Sequence, residues 1–223
     1  LKNKKIFKER ILNIPLGPSI GQCCGGYVQV ELSKHKNGKE SLKNEKNIYN
    51  IKDNLYIFGA GHIGRELSYK FIDLDFNINL IDSRKEYLEV IKHENIINIY
   101  AKLPWLLIKN LPKNSFFIIL THSHDFDFKI INEILNLNEF NFTGLIGSKT
   151  KMQRFKNRLL KLGHNESLIN KIECPIGIKS ISSKKPGEIA ISIIARILEF
   201  RSKLSSKSIN EKNILSFKSV NDK

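Results

Sequence analysis

Cysteine is scarce in this chain: three residues in 223, two of them the neighbours Cys23 and Cys24. That count excludes a disulfide framework and points to a reducing compartment, the cytoplasm. It also leaves no second ligand pair for a structural zinc site, because Cys174 stands alone. Long apolar runs are missing as well. No segment approaches the ~20 residues a bilayer crossing needs, and no signal-peptide core follows the charged Lys2, Lys4, Lys5, Lys8 and Arg10. No membrane partner is expected. Acidic residues are few, 22 against 37 lysines and arginines, for a net charge of +15. The excess does not make a nucleic-acid surface. Residues 1–10 and 201–223 each hold a net +4, which leaves +7 for the 190 residues between. No motif interleaves aromatic and basic residues for base stacking, so no nucleic-acid partner is expected either.

What is there begins with Gly21-Gln22-Cys23-Cys24-Gly25-Gly26. Glycines on both sides permit backbone angles and close approaches that other residues forbid. They set two soft sulfur donors on backbone able to come up to a ligand, and thiolates suit a soft metal or a sulfur-transfer partner. The plain alternative is a pair of small buried apolar side chains. After this hexamer, residues 27–32 alternate with a period of two, a strand pattern, and residues 33–53 are polar and rich in Lys and Asn, a linker.

From residue 55 the pattern alternates strand and helix. Apolar runs at 55–58, 77–82, 96–100, 115–120 and 142–146 predict five strands, with helices between them. Such alternation gives a parallel, doubly wound α/β sheet. Gly59-Ala60-Gly61-His62-Ile63-Gly64 follows the first of these strands and opens a helix, the context a dinucleotide fingerprint requires. Gly59 would make the tight turn, Gly61 would admit a pyrophosphate, and Gly64 would let helix and sheet pack closely. Asp82, at the end of the next strand, could accept from a ribose hydroxyl, while Arg84 leaves NAD against NADP open. The fold is Rossmann-like.

Ligands of such sheets gather beyond the carboxyl ends of the strands, and three features fall there. His62 lies in the glycine loop, facing either a bound group or solvent. His122 and His124 form an H-x-H pair beside Asp125, able to bind metal or move protons; alternatively Asp125 caps the following helix. Ser148, Lys149 and Lys151 begin a helix whose free N–H groups make an anion seat, or else an ordinary capped helix with a solvated basic face. Pro186 suits a helix first turn, and the polar stretch from Ser202 predicts a frayed tail.

Taken in order, Leu16-Gly17-Pro18-Ser19, GQCCGG at 21–26, FGAGHIGREL at 58–67, IDSR at 81–84, THSHDFDF at 121–128, GLIGSKTKMQRF at 144–155, CPIG at 174–177 and KPGEIAISI at 185–193 resemble the XdhC/CoxI family. The double cysteine brings the likeness nearer to the xanthine dehydrogenase accessory factor than to the carbon-monoxide dehydrogenase branch. The resemblance implies a chaperone for the molybdenum cofactor (molybdopterin), which supports its sulfuration by a cysteine desulfurase and its insertion into xanthine dehydrogenase. On that reading Cys23 or Cys24 binds molybdenum or relays sulfur. Gln22, Gly59, Gly61, Gly64, Asp82, Ser148 and Lys149 belong to the cofactor-binding set, with His62, His122 and His124 on its oxo groups or pterin edge. The division expected is a remnant of a small β-containing amino-terminal domain with linker at 1–50, a Rossmann-like domain at 51–201, and a tail at 202–223. Leu1 in place of Met suggests a fragment. A homodimer is the expected assembly. The alternatives are an NAD(P)-dependent oxidoreductase and a nucleotide-sensing domain, since one fold serves all three.

Overall fold

The computed structural model describes residues 10–15, 27–32 and 52–220. The chain divides into two units, Leu1–Ile51 and Lys52–Lys223. In the first, β1 (Arg10–Pro15) and β2 (Tyr27–Leu32) form an antiparallel pair, with Leu12 opposite Val30 and Ile14 opposite Val28. Asn13 sits opposite Gln29, whose Nε2 donates to its Oδ1 at 3.0 Å, a cross-strand bond that fixes the register. The period-two pattern at 27–32 is thus a strand. Gln22, Cys23 and Cys24 lie outside the described residues.

The second unit carries a six-stranded, wholly parallel sheet in the order β5-β4-β3-β6-β7-β8. Its strands are β3 (Asp53–Phe58), β4 (Phe76–Asp82), β5 (Ile96–Tyr100), β6 (Phe116–Ile119), β7 (Phe142–Leu145) and β8 (Ile172–Glu173). Five coincide with the predicted strands. The sixth has two residues, too few to show a period, and pairs through Thr143 with Ile172 and Gly144 with Glu173. Arg196 holds this short edge by ion-pairing with Glu173, and also pairs with Glu199.

Alternate strand residues face opposite sides and build two cores. On one side Leu55, Ile57, Ile78, Phe116 and Ile118 pack with Leu67 of α1 (His62–Lys70) and with Ala190, Ile193 and Ile197 of α6 (Pro186–Val220). On the other, Tyr56, Phe58, Phe117 and Ile119 meet Ile130, Ile131 and Ile134 of α3 (His124–Asn136) and Phe155 and Leu159 of α4 (Lys149–Lys161). Phe58, Phe116, Phe117 and Phe142 are among the largest fully buried side chains; each contributes ~1.5–3 kcal/mol by apolar burial. The short helices α2 (Lys85–Glu89) and α5 (Glu166–Ile169) and a 3₁₀ helix (Pro104–Asn110) complete the connections. Helical backbone continues in α6 to Val220, through the stretch the sequence marks as a frayed end. Among the described residues, no helix is long and apolar enough to cross a membrane.

The order places β3 beside β6, so connections run outward in both directions from that seam. A crevice opens at such a switch point, outside the carboxyl ends of the strands.

Candidate functional site

Each of the three fingerprint glycines answers to a different constraint. Gly59 has φ +119°, and its N–H donates to Ile81 O at 2.7 Å. A Cβ there would lie 2.4 Å from Leu120 O, so turn and close packing both demand glycine. A Cβ on Gly64 would come within 1.9 Å of Gly59 O. Gly61 differs: a Cβ there would meet nothing within 4 Å. The space above it is open to a ligand.

Gly61 is also the N-cap of α1. It offers no side-chain cap, and no acidic residue stands in the first turn. No described residue accepts from the N–H groups of His62 and Ile63. These N–H groups and the positive end of the helix dipole therefore point at unfilled space.

That space is a crevice of about 520 Å³ between the glycine loop, the loop after β6 and the loop after β7, with Pro186 at its edge. The structure brings Gly61, His62, His122, His124 and Ser148 together in it. Gly59 and Gly64 shape the loop beneath. Lys149, on the outer side of the α4 start, lines neighbouring hollows next to Pro175 instead, and Lys151 reaches the crevice in its place. The two lysines are separated by about 200° around a helix, which sends them to opposite sides. Ser148 caps α4, accepting from Lys151 N–H at 3.1 Å.

The loop after β6 is held by Asp127. This carboxylate is 1% exposed. It accepts from Thr121 N–H at 3.1 Å, lies 2.7 Å from Thr121 Oγ1, and pairs with Lys151 Nζ at 2.5 Å. Lys151 Nζ donates as well to Ile146 O at 3.0 Å. A single buried pair thus ties the loop after β6, at Thr121, to the loop after β7, at Ile146. The cap of α3 is Ser123, which accepts from Phe126 N–H, rather than Asp125, which pairs on the surface with Lys129. The His122 ring packs edge-on against Phe126, 5.4 Å between centroids. Among the described residues no three His, Cys, Asp or Glu side chains cluster as a metal site.

Asp82 stands apart from the crevice, at the end of β4. Its Oδ2 accepts from Ala60 N–H at 2.7 Å and Arg84 Nη2 at 2.9 Å; its Oδ1 accepts from Arg84 N–H at 2.9 Å and Nε at 3.0 Å. Burial would raise its pKa, but the hydrogen bonds from Arg84 and from the Ala60 and Arg84 N–H groups outweigh that and hold it below the ordinary aspartate value. All four lone-pair directions are occupied.

Cys174 is half-buried, with its Sγ 3.7 Å from Ser148 O. Burial pushes its thiol up from 9.0 to about 11, against a lowering by Lys151 and with a further rise from Asp127. It is protonated at neutral pH and a poor nucleophile. In a Cys23→Ala/Cys24→Ala background, iodoacetamide should modify the native chain slowly at pH 7, the rate climbing towards pH 11. Because the folded value is raised, the thiol's contribution to stability is whole below pH 9.0 and is lost as the pH rises to about 11. Rapid alkylation at neutral pH, read by mass, would show an exposed thiolate instead.

Sequence reasoning left out Asp127 and Thr121 as site residues. The available signal was an aspartate one turn into an otherwise apolar helix face, where a buried carboxylate demands partners.

Known proteins share both the sequence and the fold. The chain is 27% identical over 157 residues to a probable xanthine dehydrogenase subunit of Bacillus subtilis, a match that covers 69% of this chain and 44% of that protein. It is 26% identical over 189 residues to the Escherichia coli protein YqeB, covering 82% of this chain and 31% of the other. The chain therefore spans between about a third and a half of the length of these curated relatives. Among solved structures, a crystal structure described as a xanthine dehydrogenase from Bacillus halodurans superposes with a TM-score of 0.60 at 25% identity, covering 79% of this chain and 55% of that one. Residues 55–197, from the first strand of the parallel sheet to the buried face of α6, match the family model of the XdhC Rossmann domain, and the chain belongs to the XdhC family.

Proposed function

We propose that the chain serves xanthine dehydrogenase as an accessory protein: it holds the molybdenum cofactor in the cytoplasm, presents it to a cysteine desulfurase for sulfuration, and passes it to the dehydrogenase. Family membership and the names of two relatives support this reading. The observation that carries it is the open ground above Gly61, at the uncapped start of α1, facing Ser148 and Lys151 across the crevice.

The residues fit such a ligand. Its terminal phosphate would take the N–H groups of His62 and Ile63 and the third N–H of Lys151, whose other two serve Asp127 and Ile146. Asp127 already balances the Lys151 charge, so attraction for an anion rests on the starts of α1 and α4, neither of which has an acidic residue in its first turn. His62, His122 and His124 offer donors and acceptors to a pterin edge. Molybdenum coordination or sulfur relay is assigned to Cys23 or Cys24 on the family resemblance and on the affinity of thiolates for soft centres.

The test is to purify the chain from cells that make the cofactor and measure molybdenum and oxidised-pterin fluorescence. Gly61→Ala should lower bound pterin about tenfold with little change in thermal stability, since the added methyl meets only open space. Cys23→Ala/Cys24→Ala should keep the pterin but deliver no sulfurated cofactor to xanthine dehydrogenase. Wild-type protein without pterin, or Gly61→Ala with a full complement, would reject the proposal.

A further inference from the structure

A second hollow, of about 220 Å³, adjoins the crevice and shares Gly61 and His62 with it. Its other walls are Ala60, Arg65, Glu86, Tyr87 and Val90. Tyr87 is 39% and Val90 64% exposed, which gives the hollow an aromatic and an aliphatic wall open to a flat ring. It lies beyond the end of β4, past Asp82, while the crevice lies beyond β6. Crevice, open Gly61 and hollow make one continuous path across the start of α1. A ligand with a pyrophosphate at its centre and a ring system at one end matches that path.

The charges around the hollow select the ligand further. A ribose diol is usually held by the acidic residue that ends the second strand. Here that residue is Asp82, and its four acceptor directions are taken by Ala60 and Arg84. It has nothing left for a diol. Arg84 commits its Nε and Nη2 to Asp82 and lies over the Tyr87 ring, 3.7 Å from the centroid, with the side chain 26% exposed. Its Nη1 hydrogens remain uncommitted among the described residues. Arg65 makes no hydrogen bond or ion pair through its guanidinium among the described residues. The hollow therefore has the Arg65 guanidinium in its wall, and Arg84 stacked on its Tyr87 wall, where a dinucleotide site of the diol-binding kind presents a carboxylate acceptor.

We propose that this hollow binds the adenosine end of a 2′-phosphorylated adenine dinucleotide, with the 2′-phosphate between Arg65 and Arg84 and the pyrophosphate over Gly61. The proposal stands on the Asp82–Arg84 and Gly61 geometry; the pyrophosphate would occupy the ground above Gly61 that the cofactor phosphate also uses, so the two ligands would bind there in turn and not together. Among the described residues Glu86 is the one carboxylate in the hollow's wall, and it acts on Arg84 through its charge. It is the group a diol would have to use instead.

Calorimetric titration of the chain with NADP⁺, NAD⁺, adenosine 2′,5′-bisphosphate and AMP distinguishes the two. The 2′-phosphorylated member of each pair should bind at least about tenfold more tightly. Arg65→Gln, a change at an exposed side chain that leaves the fold intact, should cut that preference to about threefold or less. Equal affinities within each pair would overturn the proposal. So would no binding of any of the four at about 1 mM, or a preference for NAD⁺ that Glu86→Gln abolishes, which would give the ribose diol to Glu86.

Discussion

Lys151→Met should lower the free energy of unfolding by about 3–5 kcal/mol, the loss expected when one partner of a buried ion pair is removed. The lysine side chain is 11% exposed and the Asp127 carboxylate 1%. Methionine fills the volume of the aliphatic stem but supplies no donor, so Asp127 is left charged with only Thr121 to stabilise it. The Ile146 carbonyl also loses its donor. Adding Asp127→Asn should recover much of the loss, because a neutral amide still accepts from Thr121 and carries no buried charge. Urea unfolding followed by fluorescence of Trp105, which packs edge-on against Phe126 at 5.0 Å, reads both variants. If Lys151→Met cost under about 1 kcal/mol, the ion pair would behave as a surface one, and the tie between the loops after β6 and β7 would need another source.

Gly64→Ala should be as damaging for a different reason. Its methyl would sit 1.9 Å from Gly59 O and 3.2 Å from Leu120 Cδ1. The carbonyl cannot retreat, since Gly59 is pinned by its bond to Ile81 O and has Leu120 O close behind it. Relief must come from lifting α1 off the sheet, which exposes Leu67 and Phe71, both fully buried. Overpacking of this kind costs about 3 kcal/mol or more. Gly61→Ala, three residues earlier, has φ −68° and open space, and should cost at most about 1 kcal/mol, the difference between glycine and alanine at an N-cap. Thermal unfolding of the two variants side by side tests the contrast. Similar midpoints would mean that α1 packs more loosely than its glycines imply.

Much of this site can be read along the chain. GAGHIG after an apolar run announces a turn into a helix, and THSHD and GSKTK each end a strand, so their residues belong to the ligand edge of a parallel sheet. Which of them meet is harder to read. Lys149 and Lys151 look alike in sequence, and only Lys151 enters the crevice. Asp125 resembles a cap and is a surface ion-pair partner, whereas Asp127 resembles an interruption in an apolar face and is the anchor of the loop. Asp82 has the position of a ribose acceptor, yet Arg84 two residues on has filled its acceptor sites. β8 is two residues long and owes its place to β7 and Arg196 rather than to any pattern of its own.

By itself the sequence determined the parallel α/β class, five of the six strands, the glycine turn and the family. Each of these rests on signals within a few residues: side-chain period, backbone conformation at glycine, and the residue types of a short motif. Tertiary structure alone decided that the loops after β3, β6 and β7 enclose one crevice, that Lys151 and Asp127 join two of them, and that Asp82 is spent. Those outcomes depend on strand order, which sets β3 beside β6 across more than fifty residues of intervening chain, and on the helical turn that points one lysine inward and its neighbour out. Contacts made at such separations leave no local trace.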